Sequence, residues 1–260
     1  MLYYRKKDNG NKDWIVFIHP LGGSSITYYK QIKDMQKRFN LLLVDLHGHG
    51  KSDKGIGGLT IRDIPKDILA VMDQENIQSA HFVGMCLGNV MVDLIYEYYP
   101  HRIKSIVYGA AAKQINFINS MLLKIGNIFK HIMPHSTLYN LFALIMMPNK
   151  NHKESRRLFV REAKKMKRND FMDWYNLIIR NQKFYANREV KNDAIKKLYI
   201  FGSEDHLFIS KAKGYVEKDS NSRLHIIAGA GHMCNIDGHR AFNKTAMQFF
   251  THTNRGWIHE

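Results

Sequence analysis

A short apolar run, Ala80 to Val83, meets Gly84-Met85-Cys86-Leu87-Gly88 with no spacer, and helical periodicity begins at once. A chain that passes from strand to helix in so few residues must force the central residue into a strained backbone conformation. Only small residues fit two positions before and two after it. Gly84 and Gly88 stand at those positions. The geometry predicted for such a turn lifts the side chain of Cys86 above the end of a sheet, at the positive N-terminus of a helix. This is the setting of a nucleophile elbow, with Cys where Ser is usual.

The rest of the chain supplies a sheet for that turn. Trp14-Ile15-Val16-Phe17-Ile18 and Leu41-Leu42-Leu43-Val44 are continuous apolar runs, as expected of strands covered on both faces. The first runs into His19-Pro20-Leu21-Gly22-Gly23 and a helical pattern over about 27–37. The second runs into a Gly-rich turn, Asp45 to Asp53. Thr60 reads as the N-cap of a helix reaching about Glu75. The helix after the elbow must end by Tyr99, before Pro100. Ile103 to Tyr108 is another strand. From about Gln114 to Arg188 only helical periodicity is visible, broken at Met133-Pro134 and Met147-Pro148. Leu198 to Gly202 and Leu224 to Ala228 are the last strands, with helices expected over 209–219 and 236–250. Strands alternating with helices predict an α/β fold, a mostly parallel sheet with helices on both faces. The helical stretch is then an inserted cap over the sheet's C-terminal edge, where such sheets bind ligands. The division expected is 1–112 core, 113–191 cap and 192–260 core.

Charge is the unusual feature of the composition. The formal net charge is +16, and much of it lies between Lys150 and Arg168. A balance of this kind favours acidic substrates, carriers or anionic lipid, or simply marks a solvated helix face. Nucleic acid is excluded as the expected partner, since zinc-finger spacings and RNA-binding aromatic motifs are missing. The two cysteines, Cys86 and Cys234, make no disulfide framework. The polar stretch from Met1 to Gly10 has no apolar signal region, and no run is long enough to span a bilayer, so a cytoplasmic protein is expected, with peripheral membrane contact left open. Oligomeric state is not legible.

Four motifs in order make the chain resemble the α/β-hydrolase family along nearly its whole length. They are the His-x-x-Gly-Gly loop at 19–23, the Asp-x-His-Gly-His-Gly-x-Ser turn at 45–52, the elbow at 84–88, and the late segments Gly202-Ser203-Glu204-Asp205 and Gly229-Ala230-Gly231-His232. The resemblance implies a nucleophile, acid, histidine order. It makes Cys86 the nucleophile, Asp205 the acid and His232 the base, with Glu204 a rival acid one residue away. The other place for an acid, after the strand at 103–108, reads Gly109-Ala110-Ala111-Ala112 and offers none. The oxyanion hole implied is the backbone N–H of Leu87 with that of Leu21. Pro20 stands where the family usually has Gly, at a position that does not donate. The resemblance explains His47 and His49 as support for the sheet edge rather than metal ligands, and Cys234 reads as a small apolar filler. No cofactor and no metal are expected. Some of the Met and aromatic residues of the cap should line an apolar acyl pocket.

A thiol beside a histidine at a helix N-terminus ionises more readily than a free one. The expectation is therefore a hydrolase that cleaves an ester or thioester through an acyl-Cys86 intermediate. Its substrate would be a small acyl molecule, which the basic cap would allow to be anionic or carrier-bound. Other readings stay open: an acyltransferase or cyclase passing the acyl group to an amine or alcohol, a Ser-to-Cys replacement in an ordinary serine esterase, or a binding module with a relic elbow.

Overall fold

The computed structural model describes residues 1–52, 55–111, 117–181 and 194–253. Seven strands form one sheet: β1 (Tyr4–Lys7), β2 (Trp14–Ile18), β3 (Asn40–Val44), β4 (Ala80–Met85), β5 (Ile103–Gly109), β6 (Lys196–Gly202) and β7 (Ser222–Ile227). Their spatial order is β1-β3-β2-β4-β5-β6-β7. The pairs from β3 to β7 are parallel, and β1 is antiparallel to β3, with Tyr4 opposite Val44 and Lys7 opposite Leu41. The sequence pattern missed β1. Its residues, Tyr-Arg-Lys-Lys, carry no apolar run, because an edge strand is half solvated and its lysines discourage further pairing.

The continuous apolar runs are explained by a core on each face. Along β2, Ile15 and Phe17 join a cluster with Tyr28, Met35, Phe242 and Phe250, beneath α1 (Tyr29–Met35) and α10 (His239–Thr253). Val16 and Ile18 face the opposite cluster, with Ile68 of α2 (Ile64–Gln74) and Met91 of α3 (Leu87–Tyr98). This is the two-residue alternation of a strand, with both faces apolar. Helix α2 begins later than expected. Thr60 is not its N-cap: Thr60 N and Oγ1 donate to Asp63 Oδ2 at 3.0 and 2.6 Å in a preceding turn. Asp63 holds the cap position, and Pro65, one of the first two helical residues, fixes the start. The expected helices over 209–219 and 236–250 are each divided, into a 3-10 turn before α8 (Ala212–Val216), and into α9 (Cys234–Asp237) before α10.

Among the described residues four helices of the cap lie between β5 and β6: α4 (Phe117–Ile132), α5 (His135–Met146), α6 (Lys153–Ala163) and α7 (Arg168–Arg180). The expected cap boundaries at 112/113 and 191/192 fall on or beside residues outside the described ones. Part of the basic charge serves the helix ends. Arg168 donates to the carbonyls of Met133 and Lys130, both at 3.0 Å, closing the C-terminus of α4. Arg156 does the same for Asn149 at 2.7 Å, and for Met147. Cations there complete orphan carbonyls and oppose the helix dipole. The cap is pinned to the core by the buried Trp174, whose indole N–H donates to His47 O at 2.8 Å. Ser24 adds a 2.8 Å bond to the buried Glu162 carboxylate. Among the described residues no helix is long and apolar enough to cross a membrane.

Candidate active site

The turn at 84–88 has the conformation its sequence demands. Cys86 sits at φ 49°, ψ −110°, in the region disfavoured for a residue with a Cβ. Its strain is held by bonds on either side. Cys86 N donates to Gly109 O at 3.2 Å, Asn89 N to Cys86 O at 3.1 Å, and the Asn89 amide to Gly109 O at 2.8 Å. A Cβ at Gly88 would lie 2.0 Å from Ile18 O, and one at Gly84 2.8 Å from Asn89 N. Both are backbone atoms and cannot swing aside. Gly88→Ala is therefore expected to destabilise the protein by about 3 kcal/mol or more, at the upper end of overpacking costs. The midpoint of urea unfolding measures it, and an unchanged midpoint would contradict the close approach.

The two late loops bring their residues together. Asp205 follows β6 and His232 follows β7, and both are buried. His232 Nδ1 lies 3.0 Å from Asp205 Oδ2. A Cβ at Gly202 would fall 2.1 Å from Ala230 O, so the loops touch backbone to backbone. Phe208 packs on the His232 ring at 4.8 Å between centroids. Burial works to lower the affinity of His232 for a proton. The charge and hydrogen bond of Asp205, helped by Cys86, outweigh it and push its pKa up to about 10. Its other nitrogen, Nε2, is buried with no hydrogen-bond partner among the described residues. Glu204, the rival acid, is turned away. It accepts from Asn149 at 2.7 Å and Asn151 at 3.1 Å, and lies 2.8 Å from His152. Cys234 is fully buried, with Sγ 3.6 Å from Ile200 O, and burial raises its pKa far above that of an ordinary thiol.

Leu21, Leu87 and the partly exposed Cys86 line one cavity of about 200 Å³. The backbone N–H groups of Leu21 and Leu87 have no acceptor among the described residues. The cap supplies the opposite wall, including Leu122, Phe142 and Tyr175. The tyrosine hydroxyls near the cavity have partners elsewhere: Tyr175 donates to Leu123 O at 2.8 Å, and Tyr139 lies 4.0 Å from the Met166 sulfur. The space beside Cys86 is apolar.

Two histidines set the loop carrying Leu21: His49, which the sequence reading took as sheet-edge support, and His19, to which it gave no role. His49 Nε2 accepts from Gly22 N at 2.9 Å, which leaves the proton on Nδ1, donated to His47 O at 2.9 Å. His19 is arranged likewise, accepting from Leu46 N at 2.9 Å and donating to Pro20 O at 2.8 Å. Burial is the main cause that lowers the pKa of both, so each stays a neutral ring with a fixed tautomer. Gly22 must be glycine on two counts: its φ is 72°, and a Cβ would strike Tyr139 at 2.7 Å. Asp45 fastens the neighbouring turn, accepting from Ser25 N at 2.6 Å and Lys51 N at 2.9 Å. His152 went unremarked by the sequence reading. It is buried against Gly231, where a Cβ would meet its ring at 2.7 Å, so a cap residue backs the loop of His232. Only tertiary packing reveals that contact; its sequence neighbourhood reads as a basic surface.

Comparison with known proteins agrees with this geometry. Residues 13–124 match the sequence model of the alpha/beta hydrolase fold. That span holds the Leu21 loop and the elbow and stops short of Asp205 and His232. The chain is 30% identical over 105 residues to 3-oxoadipate enol-lactonase 1 of Acinetobacter baylyi, covering 40% of this chain and 39% of that one. It is 27% identical over 111 residues to the pimeloyl-[acyl-carrier protein] methyl ester esterase of Pectobacterium carotovorum, covering 43% and 41%. The matches thus span about two-fifths of the length of these relatives. The crystal structure of the enol-lactonase from Burkholderia xenovorans LB400 superposes with a TM-score of 0.79 over 96% of each chain, at 20% identity. Sheet order, elbow geometry and these likenesses together show that the chain has the α/β-hydrolase fold.

Proposed function

We propose that the protein is a hydrolase that cleaves an ester or thioester with an apolar acyl group, using Cys86, His232 and Asp205. The observation that carries this reading is the Asp205–His232 pair at 3.0 Å, with Nε2 left for the thiol at the edge of an apolar cavity. The Cys86 sulfur, with its proton held on His232 Nε2, attacks the acyl carbonyl carbon. Negative charge collects on the carbonyl oxygen, which accepts from Leu21 and Leu87 N–H. As the tetrahedral intermediate collapses, the bond to the leaving oxygen or sulfur breaks and His232 returns the proton to it. Water then attacks the thioester, losing a proton to His232, and the carboxylic acid leaves as Cys86 recovers its proton.

The relatives named above act, by their names, on an enol-lactone and on a methyl ester, which supports ester chemistry here. Sulfur favours the same bonds and adds thioesters. Apart from Cys86 and the two turned-away tyrosines, no polar side chain among the described residues lines the cavity to hold an acceptor amine or alcohol. Water is therefore the acceptor assigned. The cations of the basic segment lie outside the cavity, so an anionic or carrier-bound donor would be recognised at the surface.

The test is a panel of acyl esters and thioesters turned over by wild type and His232→Ala. Wild type is expected to prefer apolar acyl groups over charged ones, and His232→Ala to lose turnover of all of them. Full activity in His232→Ala would end the proposal, and equal turnover of a succinyl ester would end the apolar assignment.

A further inference from the structure

Helix α4 is one wall of the acyl cavity, and its outer side is also apolar. Leu122 and Leu123 line the cavity, and Gly126 packs inward, where a Cβ would meet Tyr175 Oη at 2.2 Å. Met121, Ile125, Ile128, Phe129 and Ile132 point the other way and are exposed, Ile128 by 63% and Ile132 by 75%. Spacings of four, seven, eight and eleven residues place them in one stripe along the helix. Leu141 and Leu144 of α5 are exposed as well, by 45% and 55%. Most of the exposed bulky apolar side chains among the described residues lie on these two helices. A patch of this kind on a water-soluble surface marks a contact with something apolar.

Charge identifies that contact. Between Glu97 and Glu154 the sequence contains no Asp or Glu. Lys124 is exposed on α4 itself, and Lys167 and Arg168 are exposed at its C-terminal end, where Arg168 donates to Lys130 O and Met133 O. A second copy would oppose these cations with its own, on chains that each carry a formal +16. The complementary partner is apolar within and negative at its surface. We propose that α4 and the adjoining face of α5 dock on an anionic phospholipid bilayer, with the Met121–Ile132 stripe sunk among the acyl chains and Lys124, Lys167 and Arg168 at the phosphates. Apolar burial and electrostatic attraction are the two signals that interfacial helices combine. Docking places the cavity wall formed by Leu122 and Leu123 next to the lipid. The inference stands on this surface alone and does not depend on the chemistry assigned to Cys86.

Cosedimentation of the full chain with vesicles tests it. Wild type is expected to bind equimolar phosphatidylcholine–phosphatidylglycerol, to bind pure phosphatidylcholine far more weakly, and to be released by salt. Ile128→Glu/Ile132→Glu is expected to weaken binding by roughly a hundredfold, about tenfold for each large side chain withdrawn from an apolar phase. Circular dichroism and the thermal unfolding midpoint should be unchanged in that variant, which shows that it is folded. Leu141→Glu/Leu144→Glu should act in the same direction, so the result does not hang on one helix. Wild type that ignores anionic vesicles, or that binds both compositions equally, overturns the proposal. So does binding that survives both variants, or a dimer in sedimentation that Ile128→Glu/Ile132→Glu dissociates while vesicles are ignored.

Discussion

Cys86→Ala is expected to lower kcat/KM on the preferred ester by roughly 10⁵ to 10⁶-fold, the scale seen when a nucleophile is removed from a catalytic unit whose members act together. What remains is the activity of a cavity with two oxyanion donors and no nucleophile. The fold should not suffer. The elbow is held by Cys86 N on Gly109 O, by Asn89, and by the close approach of Gly88 to Ile18 O, none of which uses the sulfur. Thermal unfolding within a few degrees of wild type, together with lost turnover, is the expected pair of results. Cys86→Ser asks a sharper question. A hydroxyl holds its proton far more tightly than a thiol, so a site suited to sulfur should lose rate with Ser. A raised rate would mark the site as built for a hydroxyl.

Asp205→Asn is the second large effect, expected to cost roughly 10⁴-fold in kcat, as when the orienting carboxylate of a triad is replaced by an amide. Asn presents its amide without a charge, so His232 loses the influence that holds its proton. The same substitution changes how stability depends on pH. In the wild type the pKa of His232 rises from 6.5 to about 10 on folding. A raised pKa means that its stabilisation is complete below 6.5 and is lost as pH climbs through about 10. Without the Asp205 charge, burial, the largest single influence, is opposed by Cys86 alone. The folded pKa then falls from about 10 toward the unfolded one, and the loss of stability in the alkaline range goes with it. Urea midpoints from pH 5 to pH 10 should slope down toward alkali in the wild type and lose that slope in Asp205→Asn. Parallel profiles would mean that the pair carries no net charge interaction.

The legible part of this protein was the part with a local cause. The strands β2, β3 and β4 are continuous apolar runs because helices cover both faces, and the elbow is marked by glycines that backbone contact makes obligatory. Asp205 and His232 were expected from the family resemblance and its chain order, and the fold brings the two side chains to 3.0 Å. Local signals failed where long-range contacts decide. Thr60 has the residue type of an N-cap, yet its hydroxyl serves Asp63 and Pro65 sets the helix start. Edge strand β1 has no apolar period to read, since one of its edges is solvent. Nothing in the sequence says that His49 holds Gly22 N, that His152 packs on Gly231, or that the apolar stripe of α4 faces outward. Each depends on residues far apart along the chain.

The central claim is a covalent acyl group on Cys86, and acid-quenched intact mass spectrometry tests it most directly. Wild type and Cys86→Ala would be mixed with a panel of ester and thioester donors, quenched during turnover, and mapped by peptide. A wild-type chain heavier by one acyl group, located on Cys86 and absent from Cys86→Ala, is the predicted result. Turnover that persists in Cys86→Ala, or an acyl mass on another residue such as Cys234, would contradict it.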